Sequence, residues 1–347
     1  MNQVARSGGV SRHLLEDVIA RRIDPYHEFS LPKARKGSKR VIAAPIHDLA
    51  QVQRAILSRL TSATKFDGTS FAYSKGVSIS DCAVKHLGAR WLVKLDLADF
   101  FHSVDEDQVA RVFSARGCDS SLSRQLARLC TRTPMGRPDV NGRHAPSGFG
   151  DSRPGTTENR LGHLPQGAPT SGMLANLVAY RLDLSLSRLA LKSGLKYTRY
   201  SDDLTFSSQG EFSRQDALHF VRCARTQIAS HHFTMHEGKI RICPPGSRLQ
   251  VLGLLVDTDR LHLRSDFKKT LKWHVYGSSR FGVGTYSASR GFPSPQAYLS
   301  HVHGLMSHAV DIEPEWARPL QTSWLALSEV QSCREGSEVS VRVAPEA

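Results

Sequence analysis

The stretch "YTRYSDDLTFSS", residues 197–208, places two adjacent carboxylates inside a segment that is otherwise β-prone. Asp202 and Asp203 come directly before an apolar run through Leu204 and Phe206. Like charges side by side repel, so such a pair belongs either in a solvated turn or beside a cation. The stretch therefore predicts a strand, a turn and a second strand, with a plain surface turn or a cation site between them.

The composition of the chain indicates a globular protein with a polyanionic partner. Its 347 residues are 40% hydrophobic, which is enough for a sizeable core and two or three subdomains. Lys and Arg total 46 against 32 Asp and Glu, and the net charge is +14. This excess of positive charge favours nucleic acid as the partner, and an unrelated basic enzyme is the alternative.

Other features of the sequence disfavour several classes of protein. The six cysteines are scattered without a C-x-x-C pair, which argues against a zinc site or a disulfide framework and favours reduced thiols. Residues 1–22 carry charges throughout, so we expect no signal peptide. The chain lacks a run of about 18 apolar residues, so we expect a cytoplasmic protein without a membrane span.

The periodicity of apolar residues predicts an α+β domain followed by a basic helical appendage. Helical spacing covers residues 11–23, with Ser11 as the N-cap, and residues 46–60. Residues 31–45 predict two strands around a basic turn, and residues 91–101 predict an apolar strand that ends in acids and aromatic residues. The remaining elements are helices at 105–117, 120–131, 168–194 and 214–233, strands at 236–244 and 248–257, and a basic segment at 264–277.

A third acid, Asp96, follows an apolar strand in "VKLDLADFF", residues 93–101. It is far from Asp202 and Asp203 in sequence, but the three acids can meet on adjacent strands of one sheet. Clustered carboxylates without a nearby cationic partner need a cation, and oxygen ligands of this kind suit Mg²⁺ or Mn²⁺. Two such ions about 4 Å apart would stabilise the attacking and leaving oxygens of a phosphoryl transfer.

Two further segments supply what nucleotide transfer needs beside metal ions. "LPQGAPTSGMLANL", residues 164–177, makes a sharp turn into a helix, where small residues allow a ligand or a base pair to approach closely. "KARKGSKR", residues 33–40, places Lys33 and Arg40 on a hairpin that is positioned to meet a triphosphate. A lone basic hairpin is usually solvated surface. The combination with the acids favours nucleotide transfer.

With these motifs assembled, the sequence resembles a reverse transcriptase of the bacterial retron type. The resemblance covers about residues 20–325, in the expected order throughout. The segments that carry it are "KARKGSKRVIAAP" for the fingers hairpin, "KLDLADFFHSV" for the first acidic motif, "LPQGAPTSGMLANL" for LPQG-x-P-T-S, "YTRYSDDLTFS" for Y-x-D-D, "HEGKIRI" for the lysine motif, "VLGLLVD" for the primer-grip hairpin and "HVHGLMSHAVDIEPEWARPL" for the closing thumb helix.

The resemblance implies a right-hand polymerase fold of the α+β class, with fingers, a palm of antiparallel sheet packed on helices, and a helical thumb. An N-terminal helical segment would cover residues 1–30, the fingers and palm 31–260, and the thumb 261–328. Residues 329–347 lack periodicity and predict a flexible tail. Residues 134–163, with ten Gly or Pro among 30, predict a long loop or a β-ribbon whose arginines are candidate RNA contacts.

The resemblance also implies a role for each candidate site residue. Asp96, Asp202 and Asp203 would hold two Mg²⁺ ions, or Mn²⁺, with Asp202 as the principal ligand and Asp203 as a less direct one. Phe101 would exclude a ribose 2′-OH, and Lys239 would protonate the leaving pyrophosphate. A core phenylalanine and a surface lysine are the plainer alternatives. The other candidates are Lys33, Arg40 and Gln166 for the dNTP, and His86, Arg264, Lys268, Lys269 and Lys272 for nucleic acid.

Three positions depart from the retron pattern. Ser201 stands where retron enzymes have Ala, a small-for-small change that should preserve activity. Cys82 in "CAVKH" stands where Asn is expected, and Leu252 in "VLG" stands where Thr is expected. His86 of the first of these motifs is retained, and a structural role for it stays open.

The implied function is RNA-directed DNA synthesis. The enzyme would bind a structured non-coding RNA, prime from a 2′-OH within it and copy part of it from dNTPs into a short DNA, leaving an RNA–DNA hybrid. The resemblance further implies phage defence with a separate effector protein.

Two kinds of alternative remain open. The first is another bacterial defence reverse transcriptase with a different template or priming mode; a group II intron maturase and a diversity-generating enzyme are disfavoured. The second is a catalytically inactive RNA-binding scaffold, against which the three intact acids argue.

Overall fold

The computed structural model describes residue 6 and residues 8–32, 39–65, 67–133 and 161–341, with side chains described as far as residue 327. The predicted phosphate contact Lys33 and most of the arginine-rich 134–163 segment lie outside these residues. The chain divides into two compact units, which are Met1–Cys82 with Trp91–Pro244, and Ala83–Arg90 with Pro245–Ala347.

The first unit is built on a four-stranded antiparallel sheet, which confirms the sheet predicted for the palm. Its central strands are β3 (Trp91–Asp96) and β5 (Asp203–Ser208), which pair with each other. β4 (Lys196–Tyr200) lies outside β5 and β6 (Arg241–Cys243) lies outside β3, so the order is β4–β5–β3–β6. The stretch 197–208 thus forms the predicted strand, turn and strand.

One face of this sheet carries the hydrophobic core. Val93 on β3 and Leu204 and Phe206 on β5 are fully buried, because alternate residues of a strand point to the same face. The same core takes in the inner faces of α6 (Ser171–Lys192) and α7 (Arg214–Ser230). Full burial of each such side chain contributes about 1.5–3 kcal/mol, which fixes the sheet against the helices.

The other elements of this unit follow the predicted order. β1 and β2 form an antiparallel hairpin, and the predicted helices start within three residues of their expected positions, while the helix at Ile79–Val84 was not predicted. Ser11 caps the first helix by accepting a hydrogen bond from the Leu14 N–H, and Asp105 forms a capping box with Gln108. The ranges are α1 (Arg12–Ile19), β1 (Tyr26–Pro32), β2 (Lys39–Pro45), α2 (His47–Ala63), α3 (Ile79–Val84), which starts in this unit, α4 (Glu106–Ser114) and α5 (Ser120–Cys130).

The second unit contains a small antiparallel sheet of order β7–β8–β9 and a set of helices. Its core includes Leu271, Tyr298, Val302 and Trp324, all buried. Among the helices of the described chain, none combines the length and the apolarity that a membrane crossing requires. The ranges are β7 (Gln250–Val251), β8 (Leu254–Leu255), β9 (His262–Leu263), α8 (Ser265–Phe281), α9 (Val283–Ser289), α10 (Pro295–Ile312) and α11 (Pro314–Val341).

Two predictions of secondary structure are wrong. Residues 236–244 are not strand throughout, because a 3₁₀ turn at Glu237–Lys239 precedes β6. Residues 248–257 form a hairpin rather than one strand, because Leu252 and Gly253 have φ of 50° and 86°, the left-handed values of a two-residue hairpin turn. Residues 329–341 of the expected tail belong to α11.

An ionic cluster ties the N-terminal segment to the palm. Glu106 accepts hydrogen bonds from the Arg21 Nη2 at 2.5 Å and from the Arg128 Nε at 3.0 Å. Burial by itself raises the pKa of Glu106, but the hydrogen bonds and charges of the two arginines outweigh it, so the pKa lies below its ordinary value. Glu106 therefore stabilises the fold in its ionised form.

Replacing Glu106 with Gln should lower the free energy of unfolding by about 1–3 kcal/mol near neutral pH, since a buried charge-assisted pair is lost. A lowered folded-state pKa gives stability that is complete above the unfolded-state value, near 4.5, and is lost as the pH falls through the folded-state value. The difference between wild type and variant should thus shrink below about pH 4.5 in denaturant unfolding curves. A difference that stays constant down to pH 2 would contradict this account.

Candidate active site

The turn between β4 and β5 carries two of the three predicted acids at one end of the sheet. Tyr200 pairs with Asp203, which leaves Ser201 and Asp202 as the two turn residues. Ser201 has a φ of 59°, a left-handed conformation that is uncommon for residues other than Gly, Asn and Asp. Its side chain is small and largely buried, so the chain reverses tightly and leaves Asp202 at the tip.

The third acid joins this pair through the pairing of β3 with β5. Asp96 is the last residue of β3 and lies directly opposite Asp203. The Leu97 N–H donates to the Asp202 carbonyl oxygen at 2.9 Å, which fixes the turn against the end of β3. The sheet register therefore brings together the three acids that the sequence pattern selected.

Asp96 is held in an environment that concentrates negative charge. Burial raises its pKa, and the charge of Asp202 adds to this rise, while a hydrogen bond from Lys239 opposes it. The Lys239 Nζ donates to both carboxylate oxygens of Asp96, at 2.8 and 2.9 Å. The His236 N–H donates to the Asp96 carbonyl at 2.8 Å and so anchors the start of the 3₁₀ turn that carries Lys239.

Asp203 has a different partner. The Lys94 Nζ donates to its Oδ2 at 3.0 Å, and both side chains are half-buried. Lys94 stands two residues before Asp96 and therefore projects from the same face of β3. The expectation that the acids lack a cationic partner was wrong, because Lys94 and Lys239 both pair with them.

The acids fit a divalent cation through their charge rather than through a closed ligand cage. Among the described residues, no group of three or more His, Cys, Asp or Glu side chains is arranged to hold a metal ion. However, the ammonium group of Lys239 already lies against both oxygens of Asp96, and Asp202 adds negative charge beside it. Carboxylates in this setting suit a hard divalent cation such as Mg²⁺ or Mn²⁺.

The LPQG segment packs directly on the fingers hairpin. The Ala43 N–H of β2 donates to the Gln166 carbonyl at 2.8 Å. Gly167 has a φ of 127°, and a Cβ there would lie 2.8 Å from Ile42 Cγ2 and 2.9 Å from the Ala43 oxygen, so only glycine permits this approach. Gln166 is half-buried, and Arg40 is exposed three residues before Ala43 on β2. The backbone of Gln166 therefore lies beside β2, the strand that carries Arg40.

Phe101 lies just beyond the end of β3 and is only half-buried. Its ring contacts Phe100 at a centroid distance of 5.6 Å and meets Tyr73 edge-on at 6.2 Å. Phe100 is buried in the core, whereas Phe101 packs against the rim of that core. The partly open ring is compatible with the predicted role as a sugar gate.

A buried ionic network behind the turn escaped the sequence reasoning. Arg199 is completely buried and pairs with Asp183 of α6, Nε to Oδ1 at 2.8 Å and Nη2 to Oδ2 at 2.6 Å. Its Nη1 donates to the Asn176 Oδ1 at 2.8 Å and to the Ser201 carbonyl at 3.1 Å. The network links α6 to the turn that carries Asp202. The signal available in the sequence was Arg199 itself, a charged residue within a predicted strand.

Two predicted nucleic-acid contacts in the second unit are engaged within the protein. The Lys268 Nζ donates to Glu313 at 2.8 Å and lies 5.1 Å from the centre of the Trp316 ring. Arg264 pairs with Asp266 through both its Nε and its Nη2. Both cations therefore take part in ion pairs within the second unit.

His86 is completely buried, which contradicts a direct contact with nucleic acid and favours the structural alternative. Cys82, the departure from Asn, is also buried, and its thiol donates to the Thr198 Oγ1 at 3.3 Å. Burial raises the pKa of Cys82 to about 11, so the thiol stays neutral. Both side chains therefore pack in the interior of the protein and not on its surface.

One face of α8 combines basic and aromatic side chains. Lys269 and Lys272, both predicted contacts, are exposed there. Trp273 and Tyr276 are 66% and 63% exposed on the same face, since residues three and four apart on a helix are neighbours. Arg280 extends the face by one further turn. Large aromatic rings exposed beside positive charges are typical of nucleic-acid surfaces, and the sequence reasoning passed over the two rings.

Comparison with known proteins identifies the family of this chain. The family model described as reverse transcriptase (RNA-dependent DNA polymerase) matches residues 31–256. The retron Mx65 reverse transcriptase of Myxococcus xanthus is 31% identical over 322 residues, 90% of this chain and 67% of the relative. The retron Mx162 reverse transcriptase of the same organism is 33% identical over 239 residues, 67% and 47% respectively.

A third relative comes from another organism. The retron Ec86 reverse transcriptase of Escherichia coli is 26% identical over 290 residues, which cover 84% of this chain and 77% of the relative. The chain therefore spans between about half and three quarters of the length of these relatives. Together with the matched family and the acids at the end of the sheet, they show that the chain belongs to the reverse transcriptases, RNA-directed DNA polymerases, and is of the retron type.

Proposed function

We propose that this chain copies part of a structured non-coding RNA into a short DNA that is primed from a 2′-OH within that RNA. The observation that carries the proposal is the meeting of Asp96, Asp202 and Asp203 at one end of the palm sheet, with Lys239 against them. The similarity to retron reverse transcriptases supports the choice of template and primer.

The chemistry would be in-line attack of the primer hydroxyl on the α-phosphate of a dNTP, with pyrophosphate leaving. When bound, two divalent ions would supply charge stabilisation for the attacking and leaving oxygens. Asp96 and Asp202 would hold them, and Asp203 would stay with Lys94. Lys239 would exchange its ion pair with Asp96 for one with the pyrophosphate and donate a proton to it.

The nucleotide would lie along the strand that carries the fingers contacts. Arg40 is exposed on β2, close along that strand to the point where the Gln166 backbone joins it. A guanidinium group is suited to bind phosphate oxygens through paired hydrogen bonds. Phe101 would bound the sugar side, and Lys33 would add a second cation near the phosphates.

The second unit offers a surface for the RNA or the RNA–DNA hybrid on α8. Lys269, Lys272 and Arg280 would contact phosphates, and Trp273 and Tyr276 would pack against sugars or unpaired bases.

Replacing Lys269 and Lys272 together with Ala should weaken hybrid binding and lower the slope of log affinity against log salt by about 2, since each phosphate contact contributes about 0.9. Fluorescence anisotropy over a salt series measures both quantities. Replacing Lys192, an exposed lysine at the end of α6, is the matched control and should leave the slope unchanged. An unchanged slope in the double variant would remove α8 from the interface.

Primer extension tests the function itself. The purified chain with Mg²⁺ and dNTPs should extend a primer on an RNA template, and the Asp202→Asn variant should not. Polymerisation without a template would instead favour a defence reverse transcriptase with a different template or priming mode. RNA binding without DNA synthesis would favour the scaffold.

We also propose a cytoplasmic role in phage defence with a separate effector protein, on the basis of the resemblance to retron systems. Cells that carry the native genomic region should resist phage plating, and Asp202→Asn should abolish the resistance. Equal phage plating on the wild-type and Asp202→Asn strains would contradict the defence role and would leave the proposed polymerase activity unaffected.

A further inference from the structure

Tyr73 adopts a conformation that its own burial does not explain. It lies in the connection between α2 and α3 with a φ of 58°, the left-handed region that bulky side chains rarely occupy. Its side chain remains 50% exposed, so hydrophobic burial offsets little of the strain. Strained backbone of this kind persists where surrounding contacts enforce it, and it is concentrated at functional sites.

The backbone just before Tyr73 is pinned to the elements that carry the catalytic turn. The Phe71 N–H donates to the Arg199 carbonyl at 2.9 Å, and the Arg199 N–H donates to the Thr69 carbonyl at 2.9 Å. The Asn176 Nδ2 donates to the Ala72 carbonyl at 2.6 Å. Because β4 and α6 hold the backbone at Phe71 and Ala72, the Tyr73 ring projects from a fixed base.

The ring of Tyr73 touches three separate motifs. Its edge meets the ring of Phe101 at 6.2 Å with an interplanar angle of 61°. Its hydroxyl lies 3.3 Å from the Ser201 Oγ in the catalytic turn. A Cβ on Gly172 would lie 2.5 Å from the Tyr73 ring, so the glycine after the LPQG segment makes room for it.

We propose that Tyr73 is a positioning residue that sets the discrimination between dNTPs and ribonucleotides. It would act through Phe101, because Phe100 supports one side of that ring and Tyr73 closes another. A steric gate rejects a 2′-OH only if its ring cannot yield by about 1 Å, and misplacement on that scale alters rates by large factors. The inference rests on the proposed function, and specifically on Phe101 as the gate.

The experiment compares kcat/KM for a dNTP and for the matching ribonucleotide on one primer–template. Tyr73→Gly removes the ring and accepts the positive φ without strain, so it should fold. We expect its ratio of dNTP to ribonucleotide kcat/KM to fall about tenfold or more, while dNTP incorporation falls less. Tyr73→Phe keeps the ring and should stay within about threefold of wild type.

Two further variants make the outcomes distinguishable. Phe101→Ala tests the gate, and Tyr180→Ala controls for the loss of a half-exposed tyrosine elsewhere in the same unit. An unchanged ratio in Tyr73→Gly with a lowered ratio in Phe101→Ala would overturn the inference and leave the proposed function intact. An unchanged ratio in both Tyr73→Gly and Phe101→Ala would reject Phe101 as the gate and the inference with it. Equal losses of dNTP and ribonucleotide incorporation in Tyr73→Gly would mean that Tyr73 has only a structural role. Absence of DNA synthesis in the wild type would instead reject the proposed function and, with it, this inference.

Discussion

Replacing Asp202 with Asn should lower the rate of DNA synthesis by about 10³-fold or more while the protein keeps its fold. The side chain lies at the tip of the β4–β5 turn, where burial raises the pKa of Asp96 and the charge of Asp202 adds to that rise. Asn has nearly the same shape, and the carbonyl of residue 202 that accepts from Leu97 is retained. The variant therefore removes a charge without removing a backbone contact. Single-nucleotide incorporation at saturating dNTP measures the effect.

The matched control is Asp107→Asn, because Asp107 is exposed in the first turn of α4 and away from the end of the sheet. It should keep nearly full activity, and a thermal melt should show that both variants are folded. Asp202→Asn with more than a tenth of wild-type activity would mean that this carboxylate is not a principal ligand.

Breaking the ion pair between Arg199 and Asp183 should lower the free energy of unfolding by more than Glu106→Gln does. In Asp183→Asn the completely buried Arg199 keeps its charge and loses its counter-charge, which costs about 3–5 kcal/mol of unfolding free energy. Tyr197, whose pKa burial raises well above its ordinary value, also loses the carboxylate that its hydroxyl donates to at 2.8 Å. Denaturant unfolding of the purified protein measures the loss.

A double variant separates the charge from the packing. Arg199→Met combined with Asp183→Leu removes both charges and should be less destabilised than the sum of the single changes, because no uncompensated charge stays buried. A loss below about 1 kcal/mol in Asp183→Asn, or strict additivity in the double variant, would contradict the importance of the pair.

The sequence was sufficient to select the acids and the framework that gathers them. The β-prone residues on either side of Asp202 and Asp203 predicted two strands, and the structure forms them. Asp96 could be added because it also follows an apolar strand, and strand ends of one sheet lie together. Helix starts followed from side chains such as Ser11 that cap through neighbours three residues away. All these signals are local.

Partners that are distant in sequence could not be predicted in the same way. The sequence suggested that Lys268 is available to nucleic acid, but its ammonium group forms an ion pair with Glu313, 45 residues later. Lys94 binds Asp203 only because of the strand register, which the apolar pattern does not fix to single residues. Tyr73 combines a left-handed backbone with ring contacts to Phe101, Ser201 and Gly172, and none of these residues is near it in sequence.

The nucleic acid that copurifies with the protein from its native genomic context tests the central claim most directly. Separate RNase and DNase treatment followed by sequencing identifies what is bound. A discrete short DNA joined through a 2′-linkage to one structured RNA, present with the wild type and missing with Asp202→Asn, is the predicted result. RNA without any DNA in the wild-type sample would contradict it.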